Sequence, residues 1–340
     1  MPHSPLSRVP DFTLCAGKRI LNRPWHRNAN FYTMTTPAPE IIPHSSFRSG
    51  LMYAMVLLLL AGCRPADQQD ARPVVVTSIA PIGDWIRNIT GDAVDVLVVV
   101  PPNASPHTFE LQPRMLRESA RASLVVLIGN GFESWADKLV SNVENPEVRT
   151  LLLTEGADIP ALISDKHGDH VHAANPHVWL DPVFAAAAVE RISTALVELF
   201  PDQEHAMQTR AAAYRDSLHA LHRHISVRAQ QWIGRAFIGD HSSWVYFARR
   251  YGIKQAGVIE NIPGREVSAR TMGSLIDMMR KQSITAIFSD IRKSSQAVEI
   301  LAEETDARIA ALDPLGSERT SFTYLGLMRY NVREIDRVLQ

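Results

Sequence analysis

The chain has 340 residues, with 35 Lys+Arg against 36 Asp+Glu, 13 His and only two Cys. Residues 1–62 carry six of the basic and two of the acidic groups, so residues 63–340 hold 29 against 34, a net −5. That balance excludes a surface built to neutralise nucleic-acid phosphates, while the length is enough for two domains.

Residues 1–50 show no apolar period and mix Pro, Asn, Arg and Ser. Leu51–Ala61 is almost purely apolar, preceded by Arg48 and followed by Gly62-Cys63, which reads as the basic, hydrophobic and cleavage regions of an export signal. Eleven residues are too few to span a bilayer as a helix, which needs about 20. Leu60-Ala61-Gly62-Cys63 matches a bacterial lipobox, so residues 1–62 are expected to be removed and Cys63 to be lipidated, anchoring the protein to a membrane of the cell envelope. Cys15 would leave with the removed part, and no disulfide is expected. Residues 63–73 are then a tether.

From Val74 onward, short β-branched runs alternate with helical spacing. Strands are expected at Val74–Ile79, Val94–Val100, Leu124–Ile128 and Thr150–Leu153, with helical patterns at Trp85–Ile89, Met115–Ala120 and Phe132–Val140. The same alternation returns with strands at Ala236–Gly239, Ala256–Ile259, Ala286–Ser289 and Arg308–Leu312. Helices are expected at Ser243–Tyr251, Ser268–Gln282, Ser295–Thr305 and Tyr324–Leu339. This βαβα pattern predicts mainly parallel sheets flanked by helices. Between the halves lies a helical middle, in which Tyr214, Leu218, Leu221 and Ile225 mark one apolar face of a long helix over 203–231. The expected fold is therefore α/β, with an N-terminal lobe (74–201), a long connecting helix (202–232) and a C-terminal lobe (233–340).

Chemistry concentrates in histidines. Lys166–Pro182 packs His167, His170, His172 and His177 into eleven residues, and imidazole is the commonest ligand for borderline metals. The first three sit in a loop without apolar period, an auxiliary metal loop or a solvated turn. His177 precedes Val-Trp-Leu, which would fix it. Ligands of open α/β sheets bind beyond the carboxyl ends of the strands. By that rule His107, His177, His241 and Asp313 are the candidate donors, two from each half, a closed set that suits Zn²⁺. Asp84, Asp181, Glu260 and Asp290 compete as carboxylates, although Asp181 reads as a helix cap and Asp290 as the partner of Arg292 or Lys293. His219 and His222 share a helix face, either a stray surface site or solvated groups. No His-Glu-x-x-His helix or Gly-x-Ser-x-Gly elbow supports a zinc hydrolase.

Four segments carry a resemblance: Ser105-Pro106-His107-Thr108-Phe109-Glu110, Asn175-Pro176-His177-Val178-Trp179-Leu180-Asp181-Pro182, His241 to Gly252, and Leu312-Asp313-Pro314-Leu315-Gly316. In this order they resemble the solute-binding proteins of bacterial zinc and manganese ABC transporters, over nearly all of the chain from Val74. The resemblance implies two α/β lobes bridged by one long helix, a metal at their interface, and delivery to a membrane permease by a non-enzymatic carrier, expected to be a monomer. It carries the four ligands onto His107, His177, His241 and Asp313. A histidine at the third position resembles the zinc members, whereas manganese members usually have glutamate there. Zn²⁺ is the expected cargo, with Mn²⁺ or Fe²⁺ the alternative and a zinc hydrolase or surface adhesin the rivals of another class. Ser242-Ser243 stands where an acidic residue and alanine are common. Release is expected when the permease separates Asp313 and His241 from His107 and His177.

Overall fold

The computed structural model describes residues 72–102, 104–157, 175–260, 267–292, 295–317 and 323–340, all within one compact unit spanning Gln68–Gln340. Cys63, His167, His170 and His172 lie outside the described residues. Among the described residues no helix is long and apolar enough to cross a membrane.

Two four-stranded parallel sheets form the framework. The first contains β1 (Val74–Thr77), β2 (Asp95–Val98), β3 (Ala122–Leu127) and β4 (Arg149–Leu152) in the order β2-β1-β3-β4. The second contains β5 (Ala236–Gly239), β6 (Lys254–Val258), β7 (Ala286–Asp290) and β8 (Arg308–Leu312) in the corresponding order β6-β5-β7-β8. β1 is buried throughout, as a parallel strand covered on both faces should be. In each sheet the crossovers turn in opposite directions from the first strand, which opens a crevice at the carboxyl ends between β1 and β3, and again between β5 and β7.

Short helices flank the first sheet: α1 (Ala80–Thr90), α2 (Pro113–Ser119) and α3 (Ala136–Val140). α1 carries Pro81 in its first turn, where the missing N–H costs nothing. Its Gly83 lies so close to β2 that a Cβ would stand 2.6 Å from Val98 Cγ2. α4 (Pro182–Leu199) starts at Asp181, which accepts from the Val183 N–H at 3.0 Å, the cap that the sequence predicts. α5 (Glu204–Ala229) is the long helix, 26 residues and about 39 Å at 1.5 Å per residue. Its buried face comprises Met207, Ala211, Tyr214, Leu218, Leu221, Ile225 and Ala229, the spacing of three and four read from the sequence, extended at both ends. The second sheet is flanked by α6 (Val245–Tyr251), α7 (Ala269–Gln282), α8 (Gln296–Thr305) and α9 (Tyr324–Leu339). α5 packs against α1 and α4 on one side of the chain and α6 and α9 on the other, so its apolar stripe joins both halves into one continuous core. A smaller cluster around Ile238, Leu275, Met279, Ile287 and Leu301 lies beneath α7 and α8.

The central joint is polar. Asp84 of α1 accepts from Tyr214 Oη of α5 at 2.7 Å and from the Tyr324 N–H at the start of α9 at 3.0 Å. Burial pushes the Asp84 carboxyl above its usual range, and those two hydrogen bonds only partly offset it. An acid whose folded pKa is raised holds its proton more tightly in the fold. Its contribution is therefore full below the unfolded value of about 3.9 and is lost as pH rises through the folded value. Asp84→Asn keeps an oxygen for both donors and removes this ionisation. The stability difference between Asp84→Asn and the parent, from urea melts, should accordingly shift in favour of the variant as pH rises from 4 to 8. A pH-independent difference would contradict it.

Candidate metal centre

Three loops converge at the carboxyl ends of the sheets. His107 lies in the segment between β2 and α2. His177 immediately precedes a 3₁₀ turn at Val178–Leu180 that leads into α4. His241 follows β5 by two residues and precedes the turn at Ser242–Trp244. The Nε2 atoms of His107 and His177 are 3.2 Å apart, and those of His241 and His177 3.3 Å apart. A tetrahedral zinc with Zn–N bonds of about 2.0–2.1 Å would separate its nitrogen ligands by roughly 3.3 Å. Two of the three nitrogen pairs, both involving His177, thus stand at the edge length of that polyhedron, and one donor atom from each of the three residues lies within 4.8 Å of the others. The cavity there has about 20 Å³ of free space, room for about one ion or water.

His177 is the shared vertex, and its tautomer follows from its neighbours. Asn175 Nδ2 donates to the Ser242 carbonyl at 2.8 Å, while Asn175 Oδ1 accepts from the His177 backbone N–H at 3.0 Å, which fixes the amide's orientation. Oδ1 therefore faces His177 Nδ1 at 2.9 Å as an acceptor, so Nδ1 carries the proton and Nε2 keeps its lone pair for the site. His177 is 4% exposed. Burial above all, then the neighbouring His241, His107 and Arg292, holds its pKa well below the ordinary imidazole value, so the ring is neutral and ligand-ready.

Aromatic walls hold the rings. Phe132 meets His107 edge-on with centroids 5.4 Å apart and Trp179 at 5.1 Å. Phe132 is set by the turn Gly129-Asn130-Gly131, all at positive φ. A Cβ on Gly129 would stand 2.8 Å from Thr154 Oγ1. Glu133 folds back to accept from the Ile128 and Gly129 N–H groups at 2.9 and 3.0 Å. This is why α3 starts at Ala136 and not at Phe132, as the apolar spacing predicts: the first four residues of that pattern close the turn and wall the site.

Asp313 is the fourth residue of the expected set. It is fully buried after β8, but it is not in the group of mutually close donors, which consists of the three imidazoles. Its Oδ1 accepts from the Leu315 and Gly316 N–H groups at 3.0 and 2.8 Å, anchoring the turn after the strand. Asn331 of α9 brackets its backbone, accepting from Asp313 N and donating to Asp313 O, both at 2.7 Å. Among the described residues the carboxylate that lines the cavity is Asp290, at the end of β7, paired with Arg292, one of the two cations the sequence offers it. Asp240, beside His241, accepts from the Asp290 N–H at 2.6 Å and ties β5 to β7; burial pushes its carboxyl up to about 6. His222 has Nδ1 3.1 Å from Tyr251 Oη, and no second donor cluster occurs among the described residues.

Two parallel-sheet lobes sharing a long helix, with imidazoles of both meeting at the crevice, define a two-lobed metal-binding protein. The chain belongs to the ZnuA family, the periplasmic component A of zinc-uptake complexes, whose profile matches residues 75–338. It is 26% identical over 297 residues to the zinc-binding lipoprotein AdcA of Streptococcus pneumoniae, covering 84% of this chain and 59% of AdcA. It is 25% identical over 303 residues to the high-affinity zinc uptake system protein ZnuA of Bacillus subtilis, covering 84% and 95%. A crystal structure of ZnuA superposes with a TM-score of 0.70 at 30% identity, over 79% of this chain and all of that one. A zinc-bound ZnuA carrying a deletion of its residues 138–173 gives 0.69 at 29% identity, over 78% and 98%.

Proposed function

We propose that this protein captures Zn²⁺ between its two lobes and hands it to the membrane permease of a metal ABC importer in the cell envelope. The observation that carries this reading is the clustering of His107, His177 and His241, with the Nε2 atom of His177 at 3.2 and 3.3 Å from those of the other two, the separation of nitrogen ligands on one tetrahedral zinc. Three imidazole nitrogen donors favour Zn²⁺ over Mn²⁺, which prefers oxygen. The names of the zinc-binding relatives support the same choice. Asp313 is our proposal for the fourth donor. It would have to bring Oδ2 to the ion, since Oδ1 serves the Leu315 and Gly316 amides. Lipid anchoring through Cys63 and a collecting role for His167, His170 and His172 belong to this reading as proposals. So does the division into tether, two lobes and connecting helix, with a monomer as the working unit.

A strain lacking the gene should grow poorly when zinc is chelated, and the wild-type gene should restore growth where a His241→Ala version does not. Full rescue by the variant would contradict the role of His241. A requirement for manganese instead of zinc would overturn the choice of cargo.

A further inference from the structure

The two histidines that precede the long helix are held in different ways, and the difference bears on how metal leaves. The segment carrying His177 is bolted to the C-terminal half. Asn175 donates to Ser242 O at 2.8 Å and accepts at its carbonyl from Tyr246 Oη at 2.7 Å. Trp179 Nε1 donates to Pro314 O, and Tyr324 Oη donates to Trp179 O, both at 2.7 Å and both buried. Asp181 is paired with Arg250 through contacts of 2.6–3.1 Å. Moving His177 away from His241 would break all of these together.

The segment carrying His107 is built otherwise. Pro101, Pro102, Thr108, Glu110 and Gln112 are exposed, and the backbone closes on itself through Ala104 N to Pro101 O at 3.0 Å and Thr108 N to Ser105 O at 3.3 Å. From the C-terminal half, Arg292 Nη1 reaches across to donate to Ala104 O at 3.3 Å. The guanidinium is aimed there by Asp290, whose Oδ1 accepts from Arg292 N and Nε at 2.9 Å each and whose Oδ2 accepts from Nη2. Arg292 is only 15% exposed at its side chain, and both residues line the same cavity as the three imidazoles.

We propose that Arg292 is a latch between the lobes and that metal release begins with His107 swinging away while His177 and His241 stay together. This rests on the zinc-carrier reading and revises the expectation that His107 and His177 leave as a pair. The competing role for Arg292 is purely electrostatic: a guanidinium beside the site would repel a dication. The two roles have opposite signs. If repulsion dominates, Arg292→Gln slows zinc dissociation; if the latch dominates, it speeds it.

The test is stopped-flow transfer of zinc from the full chain to a fluorescent chelator, for the parent, Arg292→Gln and the milder Arg292→Lys, together with hydrogen exchange with and without zinc. Losing one charge-assisted hydrogen bond should accelerate dissociation by about tenfold in Arg292→Gln. Arg292→Lys should fall between the two, since an ammonium lacks the fork that aims Nη1. Exchange should rise at 104–109 and stay unchanged at 175–181. Unchanged or slower dissociation, or exchange rising equally in both segments, overturns the latch. Failure of the parent to bind zinc would remove the carrier reading instead, and metal-free exchange would still decide the latch.

Discussion

Replacing His177 with alanine should weaken zinc binding by about 10²–10³-fold. A complete structural zinc site is worth about 10–16 kcal/mol, or roughly 2.5–4 kcal/mol per donor, and each 1.4 kcal/mol is tenfold in Kd. His177 sits at the high end of that range for two structural reasons. It is the vertex whose Nε2 lies within 3.3 Å of both other imidazoles. Asn175 also fixes its tautomer before any metal arrives, so no reorientation has to be offset on binding. Competition against a chelator of known affinity would read the change. A loss of less than tenfold would mean that the metal is held elsewhere.

The second large effect is on stability. Trp179 is 1% exposed, packs against Phe132 and His177 at centroid distances of 5.1 Å each, and donates to Pro314 O at 2.7 Å. Trp179→Ala opens a cavity where the two halves meet and leaves the Pro314 carbonyl without its donor. Large aromatic deletions in cores cost about 3–5 kcal/mol, out of a typical total of about 5–15 kcal/mol. In a domain of this size, thermal unfolding should fall by roughly 10 °C. Trp179→Phe should lose less, because it keeps most of the packing and forfeits the hydrogen bond. A melting temperature within about 2 °C of the parent for Trp179→Ala would contradict the role assigned to this joint.

Much of this was readable from the sequence because period and position carry it. β5 and β8 occupy the predicted ranges, and the buried face of α5 contains the four residues marked by spacing. The rule that ligands gather beyond strand ends brought His107, His177 and His241 onto one list, and the structure places them together. The same rule and the motif put Asp313 there as well. A strand-end carboxylate can equally anchor its own turn, and two N–H groups two and three residues downstream claim its Oδ1. The roles of Asn175, Trp179 and Arg292 were not legible. Each depends on a contact between residues 67 to 188 apart, which for Asn175 is the bond that orients its amide toward His177, and no local pattern records such a pairing. Glu133 did leave a signal, an acid in an apolar run straight after Gly-Asn-Gly, but its meaning depends on the two amides it closes over.

The central claim is that one zinc ion is bound by imidazoles from both lobes. X-ray absorption at the zinc edge, on protein loaded with one equivalent, tests it most directly. Three imidazole nitrogens at about 2.0–2.1 Å, falling to two in His177→Ala, are the predicted result. A first shell with fewer than three imidazoles in the parent, or one unchanged in the variant, would contradict it.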